Sequence, residues 1–164
     1  MKSKIIIRII FLQLTICTLV TIFIFSSQDG TKSKSTSTTV MREIVDINPK
    51  TKKLNESEKD IIVEKSQPFI RKTAHFTMYM VLGINLIGFY STFDLKSRKR
   101  ILLTVLCGLI YAISDEIHQG ITGGGRTPKI FDVCIDTIGT YIGTFIMLGF
   151  VKLVKNNKNF YKTQ

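Results

Sequence analysis

The sequence predicts an all-α, polytopic membrane protein: four transmembrane helices, with a long extracytoplasmic loop carrying short helices between the first and second. Three observations predict it. The chain of 164 residues is 45% hydrophobic, and its apolar residues are gathered into long blocks rather than spread at amphipathic spacing. Those blocks approach the ~20 residues needed to cross ~30 Å of hydrocarbon. Lys and Arg cluster at alternate block ends: Lys2, Lys4 and Arg8; Lys96, Arg98, Lys99 and Arg100; Lys152, Lys155, Lys158 and Lys162. This arrangement places both termini in the cytoplasm under the positive-inside rule. The net charge of +11 thus marks a plasma-membrane orientation, and nucleic acid is not an expected partner. The length suits a single domain, residues 1–164.

The first span is expected at Ile5–Phe25. Its apolar stretch is longer than a signal-peptide core, and Ile24-Phe25-Ser26-Ser27 lacks a small-x-small cleavage site, which predicts an uncleaved helix. The loop, residues 26–70, opens with a Ser/Thr/Lys tract to Thr39 that reads as a solvated connector. Val40–Ile47 has helical apolar spacing, and Asn48-Pro49 signals a turn. Ser57-Glu-Lys-Asp60 reads as a capping box opening a short helix, with Ser57 as the cap. Pro68 precedes the second span, Thr73–Phe93. The third is expected at Ile101–Ile117 and the fourth at Ile130–Val154, where Gly139-Thr-Tyr-Ile-Gly143 would let two helices approach closely. Cys17, Cys107 and Cys134 all fall inside spans, so no disulfide is expected.

The polar residues carry the functional reading. Arg71, His75 and Tyr79 recur every four residues on one face of the second span. The third span ends in Ala112-Ile-Ser-Asp-Glu-Ile-His-Gln119, where Asp115, His118 and Gln119 can share a face and Glu116 is rotated away. A Gly-rich turn with Arg126 follows, and Asp132 and Asp136 open the fourth span at i, i+4. In the expected topology these groups occupy one layer near the outer leaflet. Charges at that depth are costly unless acids and bases compensate one another. Lys72 or Arg71 alone could simply snorkel to the headgroups.

Three chemistries fit such a layer. An acid–base site would use His118 and His75, with Asp115, Glu116 and Asp132 beside them. An anion site would hold a lipid phosphate with Arg71, Lys72, Arg126 and Gln119, supported by Tyr79 and Asp136. A divalent metal is the least favoured, because Asp115, Glu116 and His118 have no recognised ligand spacing. No metal or other cofactor is expected. An ion-coupled transporter would need polar residues deeper in the membrane, where only Asn85, Thr104 and Thr144 stand.

These motifs together resemble the VanZ-like family of small bacterial membrane proteins. The resemblance rests on Arg71-Lys-x-x-His75 leading to Tyr79 and Gly83, on Asp115-Glu-x-x-Gln119 with His118, and on Arg126. It extends to Asp132-x-x-x-Asp136-x-x-Gly139 and to Ser26-Ser27-Gln28 at the end of the first span. Relatives commonly carry glutamate where Met78 stands and asparagine where Asp136 stands. The resemblance implies a multi-pass plasma-membrane protein linked, through the family's namesake, to resistance against the glycopeptide teicoplanin. The expected ligand is a membrane lipid, specifically a polyprenyl-linked cell-wall precursor or another anionic lipid. Catalysis, lipid binding without catalysis and a purely structural membrane role all remain compatible with the residues.

Overall fold

The computed structural model describes residues 2–27, 30–122 and 127–160. Within them the chain forms five helices and no strand: α1 (Lys2–Ser26), α2 (Gly30–Ile47), α3 (Glu56–Tyr90), α4 (Ser97–Thr122) and α5 (Ile130–Phe160). Helix α3 is the hub, packing against each of the other four; α4 also packs on α1 and α5.

Three helices, not the expected four, are long and apolar enough to cross a membrane: Lys2–Ser26, Ser97–Thr122 and Ile130–Val154. Helix α3 falls outside that set because its second half carries His75, Tyr79 and Asn85 among its apolar residues. Its central position explains that composition. A helix enclosed by others meets side chains where a peripheral helix meets lipid, so it can carry polar groups that find partners. Asn85 does so, its amide nitrogen donating to Thr18 Oγ1 of α1 at 3.0 Å. The peripheral helices show the opposite pattern. Ile6 and Ile24 of α1, Leu102 and Ile110 of α4, and Phe145 and Phe150 of α5 all point outward.

The segment expected at 26–70 as a loop with short helices holds a helical hairpin, more helical than expected. The Ser/Thr/Lys tract read as a connector is helical from Gly30, and α2 lies antiparallel along the first half of α3. Val45 and Val63 are buried, Gln67 donates to Thr38 at 2.8 Å, and Lys59 reaches Asp46 at 2.8 Å and Glu56 at 3.2 Å. Arg42 pairs with both Glu56 and Asp60. The tract is helical because these contacts favour it; its hydroxyls bond back to the preceding turn, as Thr38 does to the Lys34 carbonyl at 2.8 Å. The expected turn after Asn48 is present.

The cap of α3 is Asn55 rather than Ser57. The Asn55 side chain accepts from the Glu58 amide at 2.8 Å, and the Glu58 carboxylate accepts from the Asn55 amide at 3.1 Å. Both sites offer the capping pattern, and starting two residues earlier adds Glu56 to the first turn, where its charge suits the helix dipole. From there α3 runs unbroken through Pro68 for 35 residues, about 52 Å at 1.5 Å per residue. That exceeds a bilayer's hydrocarbon thickness, so its first half, paired with α2, stands beyond one end of the bundle.

Small residues draw α3 and α5 together, as Gly139-x-x-x-Gly143 predicts. A Cβ on Gly143 would run into the Met80 carbonyl, one on Gly139 into the Phe76 carbonyl, and one on Gly83 into the Thr140 carbonyl. Side-chain bonds tie the remaining pairs: Tyr111 Oη donates to the Leu19 carbonyl at 2.7 Å, and Arg8 Nη2 to the Thr92 carbonyl at 3.1 Å.

Candidate functional site

The α2 end of the bundle gathers ionisable groups from three helices. Arg71, Lys72 and His75 of α3 face Glu116 and Gln119 of α4 and Asp132 and Asp136 of α5 across a cleft of about 390 Å³. Pro68, Thr127, Lys129 and Ile135 complete its wall. Residues as far apart as Lys72 and Asp132, 60 positions, become neighbours because α3 and α5 run in the same direction, with α4 antiparallel to both.

Each side chain is held differently. Lys72 forms an ion pair with Asp132, and its ammonium lies 5.0 Å from the centre of the Phe131 ring. Glu116 accepts the Lys129 amide at 2.7 Å, so it caps the start of α5, where a carboxylate suits the exposed N–H groups and the dipole. Asp115 is almost fully buried behind the cleft. Its Oδ2 accepts from Gln119 at 2.9 Å and lies 3.9 Å from His75 Nδ1. Gln119 also reaches Ser26 of α1 at 3.3 Å. Asp136 is buried, and Arg71 is half-buried with no hydrogen bond or ion pair among the described residues.

His118 is not part of this cleft. Its Nε2 lies 2.9 Å from Ser27 Oγ, and its ring stacks on Phe23 with centroids 4.6 Å apart. Three residues on from Asp115 the helix has turned about 300°, and that residual offset carries His118 onto the α1 side. The Asp115–Gln119 pairing expected at i, i+4 is present, whereas the third member of the expected face is separated from it. Arg126 and the glycines before it lie outside the described residues. Asn85, Thr104 and Thr144 do not line the cleft.

Tyr79, one turn below His75, is completely buried, and its hydroxyl has no hydrogen-bond partner among the described residues. Its ring lies 6.2 Å from that of Tyr111. His75, Asp115 and Asp136 each offer a metal-ligating atom, and these atoms all lie within 4.8 Å of one another. This set draws one residue from each of three helices, so no sequence spacing could announce it. Lys129 and the Ser26–Ser27 pair are further contributors not singled out as site residues from sequence. A basic residue immediately before α5 was a signal for the first, and two hydroxyls at the C-terminal end of α1 for the second.

A second, apolar groove of about 510 Å³ adjoins the cleft between α1, α2 and α3. Ile22, Phe25, Val40, Ile70 and Met78 line it, and Arg71 and His75 border both spaces.

Membrane-length helices enclosing a charged cleft at one end define the class: a helical-bundle membrane protein. The chain belongs to the VanZ/LLP1 family, whose sequence profile matches residues 11–153. No curated protein and no solved structure matches it.

Proposed function

We propose that this protein acts at the outer face of the plasma membrane on a lipid-linked anionic cell-envelope precursor, lowering glycopeptide (teicoplanin) sensitivity. The observation that carries the reading is the meeting of the charged cleft and the apolar groove along Arg71 and His75. An amphiphile with a phosphate head and a hydrocarbon chain needs that juxtaposition. Arg71 supplies a guanidinium without an acidic partner among the described residues, suited to forked bonds with phosphate. In this reading α3 from Thr73 is a fourth span shielded by its neighbours, both termini are cytoplasmic, and the α2–α3 hairpin stands outside the membrane.

The test is native mass spectrometry of the protein released from membranes. A polyprenyl phosphate or anionic phospholipid should accompany the wild-type chain and be lost from Arg71→Ala. A wild-type chain free of such lipid, or a variant that retains it, contradicts the reading.

A catalytic version rests on His75, whose Nδ1 faces the buried Asp115 carboxylate. That pairing would orient the ring for proton transfer. His118 would then serve mainly to tie α4 to α1. If the protein turns over its lipid, His75→Gln should abolish turnover while leaving lipid retention intact. Retention without any measurable turnover would identify a binding protein instead.

A further inference from the structure

We propose that His75, Asp115 and Asp136 bind one divalent cation at the floor of the cleft. The three come from α3, α4 and α5, and their ligating atoms lie within 4.8 Å of one another. An imidazole with two carboxylates suits first-row divalent ions of the Mn²⁺ or Zn²⁺ type. Ligand atoms each about 2.1 Å from one ion are at most about 4.2 Å apart. The 3.9 Å from His75 Nδ1 to Asp115 Oδ2 already falls in that range. The widest spacing in the set, within 4.8 Å, lies just beyond it.

Two further observations point the same way. The Tyr79 hydroxyl is buried without a hydrogen-bond partner among the described residues. Its electrostatic neighbours are Asp115 and Asp136, and Asp115 is near enough for a weak contact with the hydroxyl that falls short of a well-formed hydrogen bond. A buried hydroxyl without a well-formed hydrogen bond beside two carboxylates is costly, and an ion with its bound water would offer it a better partner. The second observation is the charge balance. Among the described residues in and behind the cleft, Asp115, Glu116, Asp132 and Asp136 outnumber Arg71, Lys72 and Lys129, and Lys72 is already committed to Asp132. Buried carboxylates need compensation, and a cation at the floor would supply it.

The same ion would reconcile an acidic floor with a phosphate ligand by standing between them, as metals do in phosphate-handling sites. That extension rests on the lipid-phosphate reading, whereas the cation site rests on its own three residues. The two can therefore fail separately. The experiment uses the full chain in detergent micelles with any affinity tag removed. Mn²⁺ alone is titrated by equilibrium dialysis, and free ion is read by electron paramagnetic resonance.

Saturable binding of about one ion per chain is expected, weakened at least about tenfold in Asp136→Asn and in Asp115→Asn. Arg71→Ala should keep the ion even where it loses the lipid. Helicity by circular dichroism accompanies each variant, and His75→Gln, at the less buried position, serves where a carboxylate replacement fails to fold. A folded wild-type chain without saturable binding overturns the proposal. So does unchanged affinity in the folded ligand variants, which would mark the binding as adventitious.

Discussion

Arg71 and Lys72 are adjacent in sequence yet differ in what they can do. Lys72 is paired with Asp132, whereas Arg71 faces the junction of cleft and groove without an acidic partner among the described residues. Replacing Lys72 should therefore release Asp132 and loosen the α3–α5 contact, while replacing Arg71 should chiefly weaken anion binding. Asn55 gives a prediction independent of function. Asn55→Ala removes one half of the capping box on α3 and should cost about 1 kcal/mol. The cost should be read as faster amide exchange in the first turn of α3, with the lower bundle unchanged. His118→Gln should loosen the C-terminal end of α1, because it removes the ring stacked on Phe23 and disturbs the Ser27 contact. Spin labels on α1 and α4 would report a wider distance distribution, and an unchanged one would assign that contact no structural role.

At the scale of the elements, the α2–α3 hairpin is held by ion pairs and a small apolar seam. The hydrogen bond from Lys59 holds the Asp46 carboxyl below its ordinary range, and those to Asp46 and then Glu56 raise the Lys59 ammonium. For Asp46 the lowered value means stabilisation that is present above about pH 3.9 and is lost as pH falls through the folded-state value. For Lys59 the raised value means stabilisation that is present below about pH 10.4 and disappears as pH rises through its folded-state value. Hydrogen exchange on α2 should therefore vary little between those limits beyond its intrinsic pH dependence, and protection should fall outside them. Loss of protection near neutral pH would count against this pair as the clasp.

The α3–α5 crossing responds to volume instead. Gly143→Leu would drive a side chain into the Met80 carbonyl, at a cost of about 1–3 kcal/mol or more. Gly149→Ala meets nothing within 4 Å and should be tolerated. Thermal midpoints of the two variants in detergent make the comparison, and equal midpoints would remove the close approach as the cause.

For the whole molecule, the proposed orientation follows from where charge and hairpin lie. Lys50, in the turn between α2 and α3, and Lys96, between α3 and α4, belong to opposite ends of the bundle. In a chain whose native cysteines are replaced by serine, Lys50→Cys should react with an impermeant maleimide on intact cells. Lys96→Cys should react only after permeabilisation. Labelling of both under one condition would defeat the four-span orientation.

The helices themselves were largely legible in the chain, because crossing a membrane requires a long apolar run with internally satisfied backbone, and such a run is visible without knowing its neighbours. Residues 5–25, 101–117 and 130–154 all fall within helices, as does the glycine pair that brings α5 against α3. The helicity of the Ser/Thr/Lys tract was not legible, because it depends on Arg42, Lys59 and Val63 meeting partners across a hairpin rather than on local preference. Nor could composition reveal that α3 is the central helix, since its polar residues look like a defect until four neighbours surround them. The ionisable layer could be listed from sequence, but its division could not. Helix rotation set His118 against α1, and packing brought His75, Asp115 and Asp136 together from three helices. Local sequence determines that the long apolar runs become helices; only the way the helices pack decides the fate of the polar tract and which side chains share a site.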